Sequence, residues 1–353
     1  MTRSGFPARA LAGLVALSLL AGACASGAPP PGPLTVRLAY FPNFTHAIGL
    51  VGVQTGNIQR ALGEPNRLDV KSFNAGPALV EALLAGEIDI GYVGPNPAIN
   101  GYVKSKGEAL RIIAGASSGG ALFVLRPESG IAAPKDLSGK TFASPQLGGT
   151  QDVALRYYLR QNGLKTDTEG GTVRIIPTAN ADILTLFKQG RIDGAWVPEP
   201  WATRLIQEGG GKVFVDERSL WPEGKFVTTL VVVSAKFLKT RPDLVKQFLR
   251  AHVEAAQFVA SNPADAKKIT NDEIARITSA GLPAVVIDQA FTNVAFTWDP
   301  YPKTLLEAAN AAFALGFLGD TKPDLSGIFD LTLLNEVLAE KGLAPITDRA
   351  GSR

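Results

Sequence analysis

The sequence predicts an α/β protein of two like-folded lobes joined by a two-stranded hinge, and three observations predict it. The stretch Gly86-Glu-Ile-Asp-Ile-Gly-Tyr-Val-Gly-Pro-Asn-Pro-Ala98 runs from a helix stop through a short buried strand, Ile88 to Val93, into a Gly94-Pro-Asn-Pro97 loop that opens a helix. The same unit recurs later in the chain. Two long extended runs, Ala121 to Arg126 and Thr228 to Ser234, interrupt the strand–helix alternation and read as crossings between the lobes, paired with one another as the hinge.

The recurrence has a fixed offset. Shifted by 104 positions, Gly86-Glu-Ile-Asp-Ile-Gly-Tyr-Val93 falls on Gly190-Arg-Ile-Asp-Gly-Ala-Trp-Val197, with four of eight positions identical and Tyr92 on Trp196. Without a gap, Leu79 meets Ile183, Leu83 meets Phe187, Leu38-Ala39 meets Phe142-Ala143 and Ala75 meets Ala179. A repeat of that length implies duplicated lobes rather than a solenoid of short units.

A length of 353 residues, 46% hydrophobic and 19% charged, is that of a globular chain with room for two domains. Residues 1–23 stand apart as an export signal, with Arg3 and Arg9 ahead of an apolar core and Ala21-Gly-Ala23 as a cleavage pattern. Cys24, the sole cysteine, follows at once; Leu-Ala-Gly-Ala-Cys resembles a bacterial lipoprotein signal, in which that cysteine is acylated, although Ala21 stands where Leu is usual and plain secretion fits the same bond. Residues 24–33, with three consecutive prolines, read as a tether. Removing residues 1–23 takes away two of 35 basic residues and none of 32 acidic ones, leaving a net +1. Such a balance offers nothing to nucleic acid, and one cysteine excludes a disulfide framework and a thiolate metal site.

From there the elements follow in order. Leu34 to Tyr40 is a strand, Ala47 to Leu62 a helix with a glycine-rich start, and Asn43, Thr45 and His46 sit between them, where Asn or Thr could equally be a plain helix cap. Leu68 to Phe73 is the second strand, closing in Asn74-Ala-Gly-Pro77, and the helix from Pro77 stops at Gly86. Leu110 to Gly115 is a strand ended by a polar turn, Ser117-Ser-Gly-Gly120. The second lobe opens at Ile131 to Ala143; its loop reaches Gly148-Gly-Thr-Gln151 at the start of an amphipathic helix, without the Gly-Lys-Thr ending of a nucleotide-binding loop. Val173 to Ile176 leads to Thr178-Ala-Asn180, and the strand from Ile192 ends in Trp196-Val-Pro-Glu-Pro-Trp201, where two tryptophans and Glu199 could shape a pocket or simply pack. After Ala235 the chain is mainly helical and is expected to buttress the first lobe; His252, inside one of those helices, reads as a packed or solvated residue. The lobes are therefore placed at 34–121 with 232–353, and at 122–231.

Tyr40-Phe-Pro-Asn-Phe-Thr-His46, Gly86-Glu-Ile-Asp89 with Gly94-Pro-Asn-Pro97, Asp136-Leu-Ser-Gly-Lys140, and Gly190-Arg-Ile-Asp193 with Trp196-Val-Pro-Glu-Pro-Trp201 together resemble the substrate-binding components of ABC importers for aliphatic sulphonates, taurine and nitrate. The resemblance covers nearly the whole mature chain. It implies a two-lobed periplasmic-binding-protein architecture that closes on a small-molecule ligand and presents it to a permease with its ATPase subunits, as an exported monomer held by a lipid on Cys24 to the outer face of the bacterial cell membrane, or else periplasmic. It implies no cofactor, metal or catalysis. Carried over by motif position, the contacts are Asn43, Thr45, His46, Asn74, Gly76, Gly94, Asn96, Ser117 and Ser118 on one lobe, and Gly149, Thr150, Gln151, Asn180, Trp196, Glu199 and, at the hinge, Thr228 on the other side.

No Arg or Lys stands out in these loops, so an anion would be held by N–H and hydroxyl donors at helix ends, an arrangement suited to a sulphonate. Glu199 would repel a bare anion and suit a zwitterion such as a taurine-like compound. Nitrate, or a thiamine-pyrimidine precursor stacked on Tyr40, Phe41, Tyr92 and Trp196, is the alternative. A competing class is an exported enzyme that uses His46 and Glu199 as base and acid across the cleft.

Overall fold

In a computed structural model, which describes residues 32–347, the chain alternates strands and helices around two separate mixed sheets. It begins with β1 (Thr35–Tyr40), a 3-10 turn at Phe44–His46, α1 (Ala47–Gln54), α2 (Asn57–Leu62), β2 (Arg67–Ser72), α3 (Gly76–Leu84), β3 (Ile90–Val93), α4 (Pro95–Lys104) and β4 (Leu110–Gly119). The single helix expected over Ala47 to Leu62 is broken at Gly56, which adopts a left-handed conformation (φ 70°) between α1 and α2. The second sheet is then built from β5 (Ala121–Leu125), β6 (Thr141–Pro145), α5 (Thr150–Gln161), β7 (Arg174–Thr178), α6 (Asn180–Lys188), β8 (Gly194–Pro198), α7 (Trp201–Gln207) and β9 (Lys212–Asp216). The return is β10 (Val227–Ser234), followed by α8 (Ala235–Thr240), α9 (Pro242–Ser261), α10 (Pro263–Thr278), α11 (Ala284–Thr292), β11 (Val294–Phe296), α12 (Pro302–Ala314) and α13 (Thr332–Glu340).

The first sheet has the order β11-β4-β10-β3-β1-β2 and the second β7-β6-β8-β5-β9. The 104-residue repeat is visible in their registers: Leu38 pairs with Ile90 and Ala39 with Gly91 in one, Phe142 with Gly194 and Ala143 with Ala195 in the other, both strand pairs parallel. The repeated Gly-x-Ile-Asp motif has a structural job. Asp193 Oδ2 accepts the Thr141 N–H at 2.8 Å while its own N–H donates to Thr141 O at 2.7 Å. Asp89 does the same to Arg37, at 2.8 and 2.9 Å, and also takes the guanidinium Nε at 2.9 Å. Each aspartate thus extends the pairing of two parallel strands at the end opposite the loops that follow them.

The two extended runs do not pair with one another. β5 lies between β8 and β9 in the second sheet, and β10 between β3 and β4 in the first, both antiparallel to their neighbours. Ala121–Leu125 and Val227–Val233 are buried residue by residue, as expected of strands paired at both edges and covered on both faces by packed layers. The chain passes between sheets at Gly119-Gly120, both left-handed, and again just before Val227, so the second passage precedes the expected boundary at 231. The polar turn expected at Ser117-Ser118 is strand: β4 continues through both, paired with β10 on one side and β11 on the other.

Helices α9, α10, α11 and α13 pack with α1 and α2 over one face of the first sheet, where Phe44, Ile48, Phe248, Leu249, Leu334 and Val337 share one core. The opposite face carries α3, α4 and α12 around Leu79, Leu83, Ile99, Leu230 and Leu305. The helical last third therefore buttresses the first sheet.

Replacing Asp193 by Ala leaves the Thr141 N–H without a partner and is expected to lower unfolding stability by about 1–3 kcal/mol, with Asp89→Ala costing more because the Arg37 N–H and Nε both lose their acceptor. Urea titration measures both; an unchanged midpoint in Asp193→Ala would remove this role from the motif.

Candidate functional site

In both sheets the parallel strands deliver their loops to one edge, and the strand order reverses direction beside β1 and beside β6. Ligands of open α/β sheets bind outside such carboxyl ends. Here the two edges share a cavity. Asn43, Thr45 and His46 reach it from the loop after β1, Asn74 and Gly76 from the loop after β2, and Gly94 from the end of β3; Gly149, Thr150 and Gln151 come from the loop after β6, Asn180 from that after β7, and Thr228 from the start of β10. Phe41, Pro97, Pro145 and Pro198 fill the gaps. The space is small, about 30 Å³.

The helices that begin here lack side-chain caps. Their N-cap positions are Ala75 for α3, Gly94 for α4, Gly149 for α5 and Ala179 for α6, none with an oxygen to accept from the first turn. The first N–H groups of α3, α5 and α6 are therefore left for something else, in the part of a helix where partial positive charge collects; in α4, Pro95 and Pro97 remove two of the donors. Ser234, by contrast, caps α8 by accepting from Phe237 N–H, so what sets α3, α5 and α6 apart is that their uncapped starts meet at one cavity.

Among the described residues no Lys, Arg, Asp or Glu lines the cavity. Thr150 Oγ1 and Asn180 Oδ1 are buried without a hydrogen-bond partner, and an unmet polar atom in a dry site is costly unless a ligand completes it. His46 is buried, its Nδ1 lies 3.4 Å from the Phe41 N–H, and burial drives its pKa down to about 3, so the ring is neutral and offers an Nε2–H donor. Asn43 is oriented from the other half of the molecule, because its Oδ1 accepts Trp201 Nε1–H at 3.0 Å. Asp152, fully buried on α5, ties down the approach loop by accepting from Ser144 Oγ (2.7 Å), Gly148 N–H (2.9 Å) and Arg156 Nε (3.0 Å).

Five expected contacts are placed elsewhere. Trp196 is fully buried in β8, stacked on Phe123 at 5.3 Å, with Nε1 donating to Glu217 at 2.8 Å; inside a strand covered on both faces it belongs to the core, as its counterpart Tyr92 does through a hydroxyl 2.9 Å from His252 Nδ1. Glu199 is fully buried and accepts from Thr203 N–H (3.0 Å), Thr203 Oγ1 (2.9 Å) and Asn293 Nδ2 (2.7 Å); it is the internal anion for the start of α7, and burial pushes its pKa up against those donors. Asn96 turns away on α4, donating to Ala308 O at 3.3 Å. Ser117 and Ser118 lie in β4, where Ser118 Oγ accepts from Phe226 N–H. Trp201 as a clamp on Asn43 had only its place in an aromatic turn to mark it, and Asn293, held far away in the chain, had none. Cys24 and the export signal lie outside the described residues.

Two sheets that open one edge each onto a shared, donor-lined cavity form the architecture of the periplasmic binding proteins. The chain belongs to the NMT1-like family, whose model matches residues 29–275. It is 30% identical over 196 residues to the taurine-binding periplasmic protein of Escherichia coli K12, an alignment covering 56% of this chain and 58% of that protein. A putative aliphatic sulfonates-binding protein of the same strain is 26% identical over 310 residues, 86% of each chain. The crystal structure of the periplasmic nitrate-binding protein NrtA from Synechocystis PCC 6803 matches with a TM-score of 0.73 at 16% identity, over 88% of this chain and 89% of that one. The chain spans less than two thirds of the length of the first curated relatives it matches, 58% for the taurine-binding protein and 64% for putative binding proteins of Brucella.

The protein has two histidines; His252, also buried, is held down to about pKa 4 by desolvation, its Nε2–H donating to Gly115 O at 2.8 Å. Neither imidazole is therefore expected to titrate between about pH 8 and about pH 5.5, which proton NMR of the two ring signals checks; one signal moving with a midpoint near the ordinary value of about 6.5 would contradict the neutral donor assigned to His46.

Proposed function

We propose that the protein is the substrate-binding component of an ABC importer, capturing a small organic anion, an aliphatic sulphonate or taurine-like compound, and delivering it to the permease and its ATPase subunits. The observation that carries this is the set of uncapped starts of α3, α5 and α6 turned on one cavity without a basic residue in its lining. Neutral N–H and hydroxyl donors suit a singly charged group whose three oxygens accept in several directions, and suit a dianion poorly because nothing there balances a second charge. Asn180 Oδ1 is the unmet acceptor, and an ammonium group would complete it, which favours an aminosulphonate over nitrate. The names of the relatives agree with this class of ligand.

On this reading the two sheets are the cores of two lobes that close by rotation about the passages at Gly119-Gly120 and before Val227, with Phe44 N–H to Glu199 O (3.2 Å) and Trp201 to Asn43 formed on closure. Secretion by the amino-terminal segment, a lipid on Cys24, and a monomer that meets its permease at the membrane complete the proposal. The pyrimidine alternative loses its stacking surface: Tyr40, Tyr92 and Trp196 are fully buried in the cores, and only Phe41 lines the cavity. The enzyme alternative loses its acid, since both oxygens of Glu199 are engaged by Thr203 and Asn293.

A side chain at Gly94 would point at the opposite lobe: a Cβ there lies 2.2 Å from Thr150 Oγ1 and 3.2 Å from its Cβ. Gly94→Ala, at an extended backbone position that Ala accepts, is therefore expected to block closure and weaken binding at least about tenfold while leaving the unliganded melting temperature unchanged. Taurine and short alkanesulphonates at about 100 times Kd should raise the wild-type melting temperature by a few degrees, about 2.7 kcal/mol of added stability. Thermal shift and calorimetry read both; absence of binding by every sulphonate tested would refute the ligand class.

A further inference from the structure

A second cavity, about 500 Å³ by the same measure, opens between α5, α12 and the segment joining β9 to β10. Its chemistry is unlike that of the first. Tyr157 and Tyr158 of α5, together with Trp221 and Phe226 stacked on one another at 5.5 Å and 13°, make its walls aromatic. Glu217, a residue only 3% exposed, lines it, and Glu307 lines it from α12. Among the described lining residues there is no Lys, Arg or His.

Glu217 is held but not neutralised. Its Oε2 accepts Trp196 Nε1–H at 2.8 Å. The adjacent base in the chain, Arg218, is spent on Asp216, with Nε 3.0 Å from both carboxylate oxygens. A buried carboxylate held by one indole, with an acidic neighbour and its adjacent Arg218 paired elsewhere, is short of a counter-charge. Aromatic faces around such a group attract organic cations.

We propose that this cavity is a second ligand site, for a small organic ammonium ion, with Glu217 as its counter-ion and Trp221, Phe226 and Tyr157 packing on the cation and its apolar part. The site is separate from the donor-lined cavity in ligand charge: one takes an anion on neutral donors, the other a cation on a carboxylate. Its walls come from elements of both sheets' halves, so occupancy bears on their relative position.

Purified protein titrated calorimetrically with benzyltrimethylammonium tests this. Binding is expected to exceed that of neutral benzyl alcohol by about tenfold or more, to fall at least about tenfold in Glu217→Gln, and to fall several-fold in Trp221→Ala, a half-buried wall residue whose loss removes cation–π contact. Asn180→Ala, in the other cavity, should leave it within about twofold. The probe's charge is fixed, so pH reports on the protein. Glu217 is pushed up to about 7 chiefly by desolvation; the groups around it are Asp216 and Arg218 on its own segment, Tyr158 on α5 and Glu307 on α12. Affinity should rise between about pH 6 and about pH 8 as Glu217 ionises, with no rise in Glu217→Gln. Equal binding of benzyl alcohol, retained affinity in a folded Glu217→Gln, or loss in Asn180→Ala would each overturn the assignment. Should Glu217→Gln fail to fold, an unaltered affinity in Trp221→Ala together with a flat pH profile of the wild type would overturn it too.

Discussion

The structure depends on one electrostatic constraint: three helices that start at one cavity have no side-chain cap on their first N–H groups. α3, α5 and α6 begin after Ala75, Gly149 and Ala179, residues that cannot cap, while α7, which starts near the same edge, takes the carboxylate of Glu199. An unfilled first turn leaves N–H groups seeking acceptors. Their cost is tolerated where a ligand completes them, and the orphaned oxygens of Thr150 and Asn180 belong to the same unfinished set.

The rest of the fold aims those starts at one another. Duplication of a strand–helix unit with a 104-residue offset gives two sheets with the same β1–β3 and β6–β8 register, each locked by an aspartate that accepts the backbone N–H of the first strand. What differs between halves is the crossing strand. β10 enters the first sheet and β5 the second, each antiparallel, so the sheets are completed by chain that has just crossed over. The helical carboxyl-terminal third then covers the first sheet, and through Asn293 it reaches Glu199 in the other half.

Much of this was legible in the residues. A loop between a strand end and a helix start is fixed by local punctuation, so Asn43 to His46, Asn74 to Gly76, Gly149 to Gln151 and Asn180 fall at the cavity by position alone. Ser117 and Ser118 did not, because a polar pair looks like a turn unless β11, nearly 180 residues downstream, is known to pair with it. Trp196 and Glu199 misled for a related reason. An aromatic beside an acid between prolines looks like a binding surface, yet each finds its partner at long range, Trp196 in Glu217 and Glu199 in Asn293. Likewise the valine run of β10 marks a strand but not its sheet; its long-range partners β3 and β4 decide that.

The most direct test of the uncapped helix starts is amide NMR during a titration with taurine. The account predicts downfield shifts of the Gly76, Thr150, Gln151 and Asn180 backbone N–H signals as they take up the anion, with the Thr203 N–H, already bonded to Glu199, unmoved. Saturable binding that left those four amides in place would contradict it.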